Sequence, residues 1–143
     1  MAAVLLLVLA GCAGPVALEE PAPDEAARRA CDAVLADLPP TVLDQSRREA
    51  EPGRLTAAWG DPPISLRCGV DAPPTLTATS ECLEVNGVGW FAEDAEGGRL
   101  FTTIGRRAFV EVGVPRAYAP EAGALVDLAP AVSSHDPLLQ PCQ

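Results

Sequence analysis

CLEVNGVGWFAEDAEGGRLFTTIGRRAFVEVGVP (82–115) decides the fold. Asn86-Gly87 separates two apolar alternations, Cys82–Val85 and Val88–Phe91, and Asn-Gly in that setting is the strongest short hairpin signal. Glu93–Gly98 reads as an acidic, mobile loop tip. Leu100–Ile104 and Ala108–Val114 flank Gly105-Arg106-Arg107 and predict a second hairpin. Alternation in its last strand places Phe109, Glu111 and Gly113 on one face and Val110, Val112 and Val114 on the other.

Working outward, Leu55–Trp59 and Ile64–Cys68 read as strands joined by the turn-forming cluster Gly60-Asp61-Pro62-Pro63. Asp71–Ser80 is a Pro/Thr loop, and Thr41–Pro52 a short extended piece followed by a polar loop. Asp24–Leu38 predicts a helix, with Ala27, Ala30, Cys31, Val34, Leu35 and Leu38 on one side and Pro39-Pro40 as its stop. Tyr118–Leu128 predicts a second helix, with Pro120 in its first turn. A helix, several antiparallel strands and a helix give the α+β class: one small domain, 24–132, with the sheet covered on one face. Residues 133–143, beyond Pro130, read as a Pro-rich tail.

The N-terminus predicts location. Ala2–Ala10 has the length of a signal-peptide apolar region and falls far short of the ~20 residues that span a bilayer. Leu9-Ala10-Gly11-Cys12 reads as a bacterial lipobox, so residues 1–11 are expected to be removed and Cys12 to carry a diacylglycerol. Arg and Lys are missing before the apolar run, so the amino terminus supplies the positive charge or the start lies upstream. Residues 12–23 read as the lipidated cysteine and a flexible tether with a reach of ~35 Å at ~3.3 Å per residue. The expected location is the extracytoplasmic face of the cell membrane, held by the lipid on Cys12.

The formal charge is −10, and the ten basic residues are all Arg. Phosphate-backbone binding rests on clustered Lys and Arg, so nucleic acid is not an expected partner. Apart from Cys12 there are four cysteines, Cys31, Cys68, Cys82 and Cys142. An even count in an exported chain reads as two disulfides, and four cysteines allow three pairings. The preferred one is Cys31–Cys68, pinning the first helix to a strand, with Cys82–Cys142 tying down the tail. C-x-x-C does not occur, which argues against a zinc knuckle or a thioredoxin-like motif.

Ala30-Cys31, AAWGDPPISLRCGV (57–70), VNGVGW (85–90), FTTIGRRAFVEVGVP (101–115) and YAPEAGALVDLAPAV (118–132) resemble an actinobacterial envelope family, domain of unknown function 3515. The resemblance implies an exported or membrane-anchored protein and brings no catalytic residue with it. It also supports pairing Cys31 with Cys68.

Candidate chemistry is sparse. His135 stands alone as a histidine, beside Ser133, Ser134 and Asp136 in the tail, and no G-x-S-x-G elbow occurs. Asp61, Glu84, Glu111 and Asp127 are the carboxylates available for glycoside hydrolysis, with no spacing that singles out a pair. Glu93-Asp94-Ala95-Glu96 lacks the calcium-loop pattern, and no metal or cofactor is expected. Trp59, Asp61, Arg67, Arg106 and Tyr118 lie close to turns and are the candidate binding residues. The competing reading puts Trp59 and Trp90 in the core and Arg67 and Arg106 in ion pairs. The sequence therefore favours a non-catalytic envelope accessory or binding module with a protein or wall-polymer partner. The alternative is an envelope hydrolase acting on wall glycans through carboxylates.

Overall fold

The computed structural model describes residues 14–142. The expected signal segment 1–11 and Cys12 lie outside them. No helix among the described residues is long and apolar enough to cross a membrane.

Among the described residues, ten strands and two α-helices follow one another in the order β1 (Val16–Ala17), α1 (Glu25–Ala36), β2 (Thr41–Val42), β3 (Gln45–Arg48), β4 (Ala50–Glu51), β5 (Thr56–Trp59), β6 (Ile64–Cys68), β7 (Leu83–Val85), β8 (Val88–Ala95), β9 (Gly98–Thr103), β10 (Val110–Pro115) and α2 (Ala124–His135). Eight of the strands form one antiparallel sheet ordered β2-β3-β5-β6-β10-β9-β8-β7, and β1 pairs in parallel with β4. The fold is α+β, a small single domain with a helix at each end and two disulfides, Cys31–Cys68 and Cys82–Cys142.

Local chemistry accounts for most elements. The Asp24 carboxylate accepts the Ala27 N–H at 2.8 Å and caps α1. Asn86 and Gly87 take φ of 47° and 81°, the left-handed pair that a two-residue hairpin demands, and Val85 faces Val88 across it. In β10, Val110, Val112 and Val114 are buried while Glu111 and Gly113 are half-buried. The buried set joins Leu66, Trp59, Trp90 and Phe101 under both helices, with Leu125, Leu128 and Val132 from α2 and Val34 from α1. Both helices lie on this face, and Cys31 of α1 reaches Cys68 of β6 through it.

Four expectations need correction. The short extended piece expected at the start of Thr41–Pro52 is β2, but the polar loop expected after it is strand: β3 pairs back on β2 as a hairpin, and β4 follows at once. Glu93–Gly98 is not a mobile tip either. β8 and β9 stay paired to Ala95 and Gly98, and only Glu96-Gly97 turn the chain. The second helix runs later than Tyr118–Leu128, because its apolar side continues through Ala129, Ala131 and Val132. Pro130 and Val126, whose carbonyl loses its partner, both lie on the exposed side of that helix, where solvent replaces the bond.

The fourth correction concerns both ends of the chain. Residues 14–23, expected as a flexible tether, are docked. The Val16 N–H donates to the Glu49 carbonyl at 2.8 Å and Leu18 N–H to that of Glu51 at 3.0 Å. Pro23 sits on Gly69, where a Cβ would lie 2.5 Å from the Pro23 ring. Residues 136–142, expected as part of a Pro-rich tail with little besides Cys82–Cys142 to hold it, also fold back over the β9–β10 turn. Leu139 and Gln140 N–H both donate to the Gly105 carbonyl, at 2.7 and 2.9 Å. In each case the partner is distant in sequence, so local composition could not reveal it.

Candidate functional site

Strand register builds the site. Pairing of β6, β10, β9 and β8 lines up Arg67, Glu111, Thr102 and Phe91 in one row on the face away from the helices. The next row on that face is Ser65, Gly113, Leu100 and Glu93. Arg67 and Glu111 are direct cross-strand partners of opposite charge, an arrangement that stabilises a sheet. The Arg67 guanidinium donates through both Nε and a terminal nitrogen to Glu111 Oε1, each at 2.9 Å.

Two walls rise from this floor. One is Glu19–Ala22, which the docked N-terminal segment carries across the sheet. The other is the loop 69–74 after β6. Between them lies a cleft of about 770 Å³, reached also by Glu93 and Leu100. Each wall is pinned by a glutamate. Glu20 Oε1 accepts the Leu55 N–H at 2.6 Å, and Glu93 accepts the Thr75 hydroxyl. Glu19, Glu20, Asp71, Glu93 and Glu111 face a single guanidinium, Arg67, so the cleft is electronegative. A second depression of about 350 Å³ adjoins at Leu100, between Pro62-Pro63 and the Glu96-Gly97 turn.

The Glu20 contact predicts its own test. Glu20→Ala leaves the Leu55 N–H without its acceptor and should cost about 1–3 kcal/mol. Hydrogen exchange at the Val16 and Leu18 amides should rise more than exchange in α1.

A family model covers this architecture from residue 1 to 139. The chain belongs to the DUF3515 family, proteins of unknown function. No curated protein and no solved structure matches it.

In this DUF3515 chain the five residues read from the sequence as binding candidates do not converge. Arg67 alone lies on the floor of the cleft. Trp59 is fully buried, its indole N–H donating to the Pro39 carbonyl at 3.0 Å and the Arg47 guanidinium lying 5.2 Å from its ring centroid. Burial on the helix side takes it away from any surface site. Asp61 is exposed in the β5–β6 turn. The Tyr118 hydroxyl donates to the Pro62 carbonyl at 2.7 Å and fastens that turn.

Arg106 is buried at 8 % exposure and holds two backbone carbonyls, Asp136 at 2.7 Å and Gly87 at 3.0 Å. It works as a clamp between the hairpin turns and the C-terminal segment, and its bonds go to carbonyls rather than to a carboxylate.

The carboxylates proposed for hydrolysis are dispersed too. Glu84 is exposed on the edge strand β7, and Asp127 accepts the Leu43 N–H at 2.9 Å on the helix side. Glu111 is in the cleft. The polar groups around His135 point apart: its Nε2 meets Asp37 Oδ2 at 2.9 Å, Ser133 bonds its own helix at the Pro130 carbonyl, and Asp136 turns inward to the Ala108 N–H. No cluster of three or more His, Cys, Asp or Glu residues suited to a metal ion occurs among the described residues.

Glu19–Ala22, the loop 69–74, Glu93 and Leu100 are the lining residues that sequence reasoning missed. Glu93 was legible in principle, because the alternation of β8 carried two residues beyond Phe91 puts it on the Phe91 face. Nothing local marks Glu19–Ala22.

Proposed function

We propose that this protein is a lipid-anchored, extracytoplasmic binding module of the cell envelope. The observation that carries the binding reading is the cleft on the uncovered face of the sheet. A rigid strand floor with two pinned walls suits an extended ligand laid across it. Its central carboxylate, Glu111, has Oε1 occupied by both Arg67 donors, which favours recognition over proton transfer. The lipobox at Cys12 supports the anchored location, and two disulfides fit an oxidising compartment.

A photo-crosslinking residue at Leu100, on the cleft, should capture an envelope protein or wall polymer in native membranes. The same group at the exposed Glu84, on β7, should not. Equal capture at both positions, or none at Leu100, would remove the cleft from the proposal.

The second reading, an envelope hydrolase, draws on Glu93 and Glu111 lining one cleft. It expects Glu93→Gln or Glu111→Gln to abolish function in cells. Full function in both variants would end it.

A further inference from the structure

Resting on the anchored reading above, the geometry points to a membrane-contacting edge: the domain sits directly on the bilayer through the β1–β4 pair and the adjoining end of β3 at Arg48, with no stalk between. Only Ala13 separates Cys12 from Gly14, and Gly14 is already part of the fold. Its carbonyl accepts from an Arg48 terminal nitrogen at 2.7 Å, and the other terminal nitrogen of Arg48 holds the Gly60 carbonyl at 2.7 Å. Two residues later Val16 enters the parallel pairing with Ala50, and Glu20 and Pro23 continue the attachment. From Cys12 to Gly14 the chain reaches at most ~7 Å, against the ~35 Å that a free segment 12–23 would allow. A diacylglycerol on Cys12 therefore brings Arg48 and its neighbours to the headgroups.

Charge agrees with that placement. Residues 45–55 carry Arg47, Arg48 and Arg54 against Glu49 and Glu51, one positive charge in excess, within a chain of net charge −10. This stretch is thus close to neutral within an acidic protein, so the net charge of the chain does not itself hold it off anionic lipid. The sheet then runs away from the anchor. Six strand-to-strand steps separate β3 from β7. At about 4.8 Å each, they put β7 about 29 Å from β3 as measured along the sheet. The cleft lies between these limits, with its Glu19–Ala22 wall continuous with the anchored segment, so any ligand meets it close to the membrane.

Native protein extracted with its anchor is reconstituted in phosphatidylcholine–phosphatidylglycerol vesicles. A fluorophore is placed at Glu49→Cys or Glu84→Cys, and a quencher on the lipid headgroups. Quenching several-fold stronger at position 49 than at 84 is expected. A flexible Gly/Ser linker inserted between Ala13 and Gly14 should bring the two together. Equal quenching in the linker-free chain, with the protein on the vesicles, overturns the contact edge and leaves the anchor standing. A chain that lacks acyl mass on Cys12 and leaves the vesicles overturns the anchor and the edge with it.

Discussion

Replacing Cys31 and Cys68 together by alanine should lower stability by about 4 kcal/mol and the melting temperature by about 10–20 °C. The two residues are 37 apart in sequence, and in the chain-entropy picture a loop of that size gives the unfolded state much of its freedom back when the bond is lost. Both cysteines are fully buried at the contact between α1 and β6, so the bridge also fixes how the helix sits on the sheet. Alanine is the right replacement, since serine would add a hydroxyl to a buried site that offers no evident partner.

Cys82–Cys142 has a larger separation, 60 residues, yet its removal should cost less. Residues 137–142 present Leu138 and Leu139 at 52 % and 56 % exposure and are held mainly by bonds to Gly105 and Arg107. Once reduced, this segment can fray while the sheet stays folded, and the native state regains part of the entropy. Both of its cysteines are half-buried rather than enclosed, so dithiothreitol should open this bridge first. Thermal melts of the two double-alanine variants, with mass-tagging of free thiols during graded reduction, read both effects. A smaller loss from the Cys31–Cys68 variant, or simultaneous opening of the two bridges, would contradict this division.

What was legible in the sequence was local or periodic. Asn86-Gly87 announces its hairpin because two adjacent residues supply the turn's unusual backbone angles. Asp24 marks a helix start one residue early, because an N-cap and a first helical residue look alike in composition. The alternation in β10 assigns both faces of the central sheet, and with the register of β6 it sets Glu111 beside Arg67. Long-range contacts were not legible. Val16-Ala17 becomes a strand only because Ala50-Glu51 offers it an edge, and nothing in AGPVALEE signals that partner. Pro130 misled because its effect on a helix depends on which side of the helix it occupies. The cleft combines both kinds of information: its floor follows from alternation, while the Glu19–Ala22 wall exists only through tertiary docking.

Asp136→Asn should make the protein more stable at pH 7 by about 1–3 kcal/mol and remove a pH dependence that the native chain shows between about pH 4 and 6. Asp136 is 1 % exposed at the end of α2. Burial pushes its pKa up from 3.8 to about 6, against the opposing pull of the Ala108 N–H bond and the Arg106 and Arg107 charges. Oδ1 accepts from Ala108 at 3.0 Å, whereas Oδ2 is buried with no protein partner. Arg106 donates to the Asp136 backbone carbonyl instead of the carboxylate, which explains why its charge does not offset the burial.

In the unfolded chain this carboxyl releases its proton near its ordinary value, so between about pH 4 and 6 the folded state holds the larger share of protons. Stability from this group is therefore complete below pH 4 and falls as pH rises through 6. Asparagine keeps the acceptor for Ala108 and never ionises. Asp136→Ala, in contrast, strands the buried Ala108 N–H and should cost about 1–3 kcal/mol even at pH 4. Urea unfolding of the three proteins at both pH values isolates the effect, because every other carboxylate is common to all. If the native chain and Asp136→Asn differ equally at pH 4 and pH 7, the Asp136 carboxyl is not protonated preferentially in the fold, and the clamp beside Arg106 holds an ordinary surface-like charge.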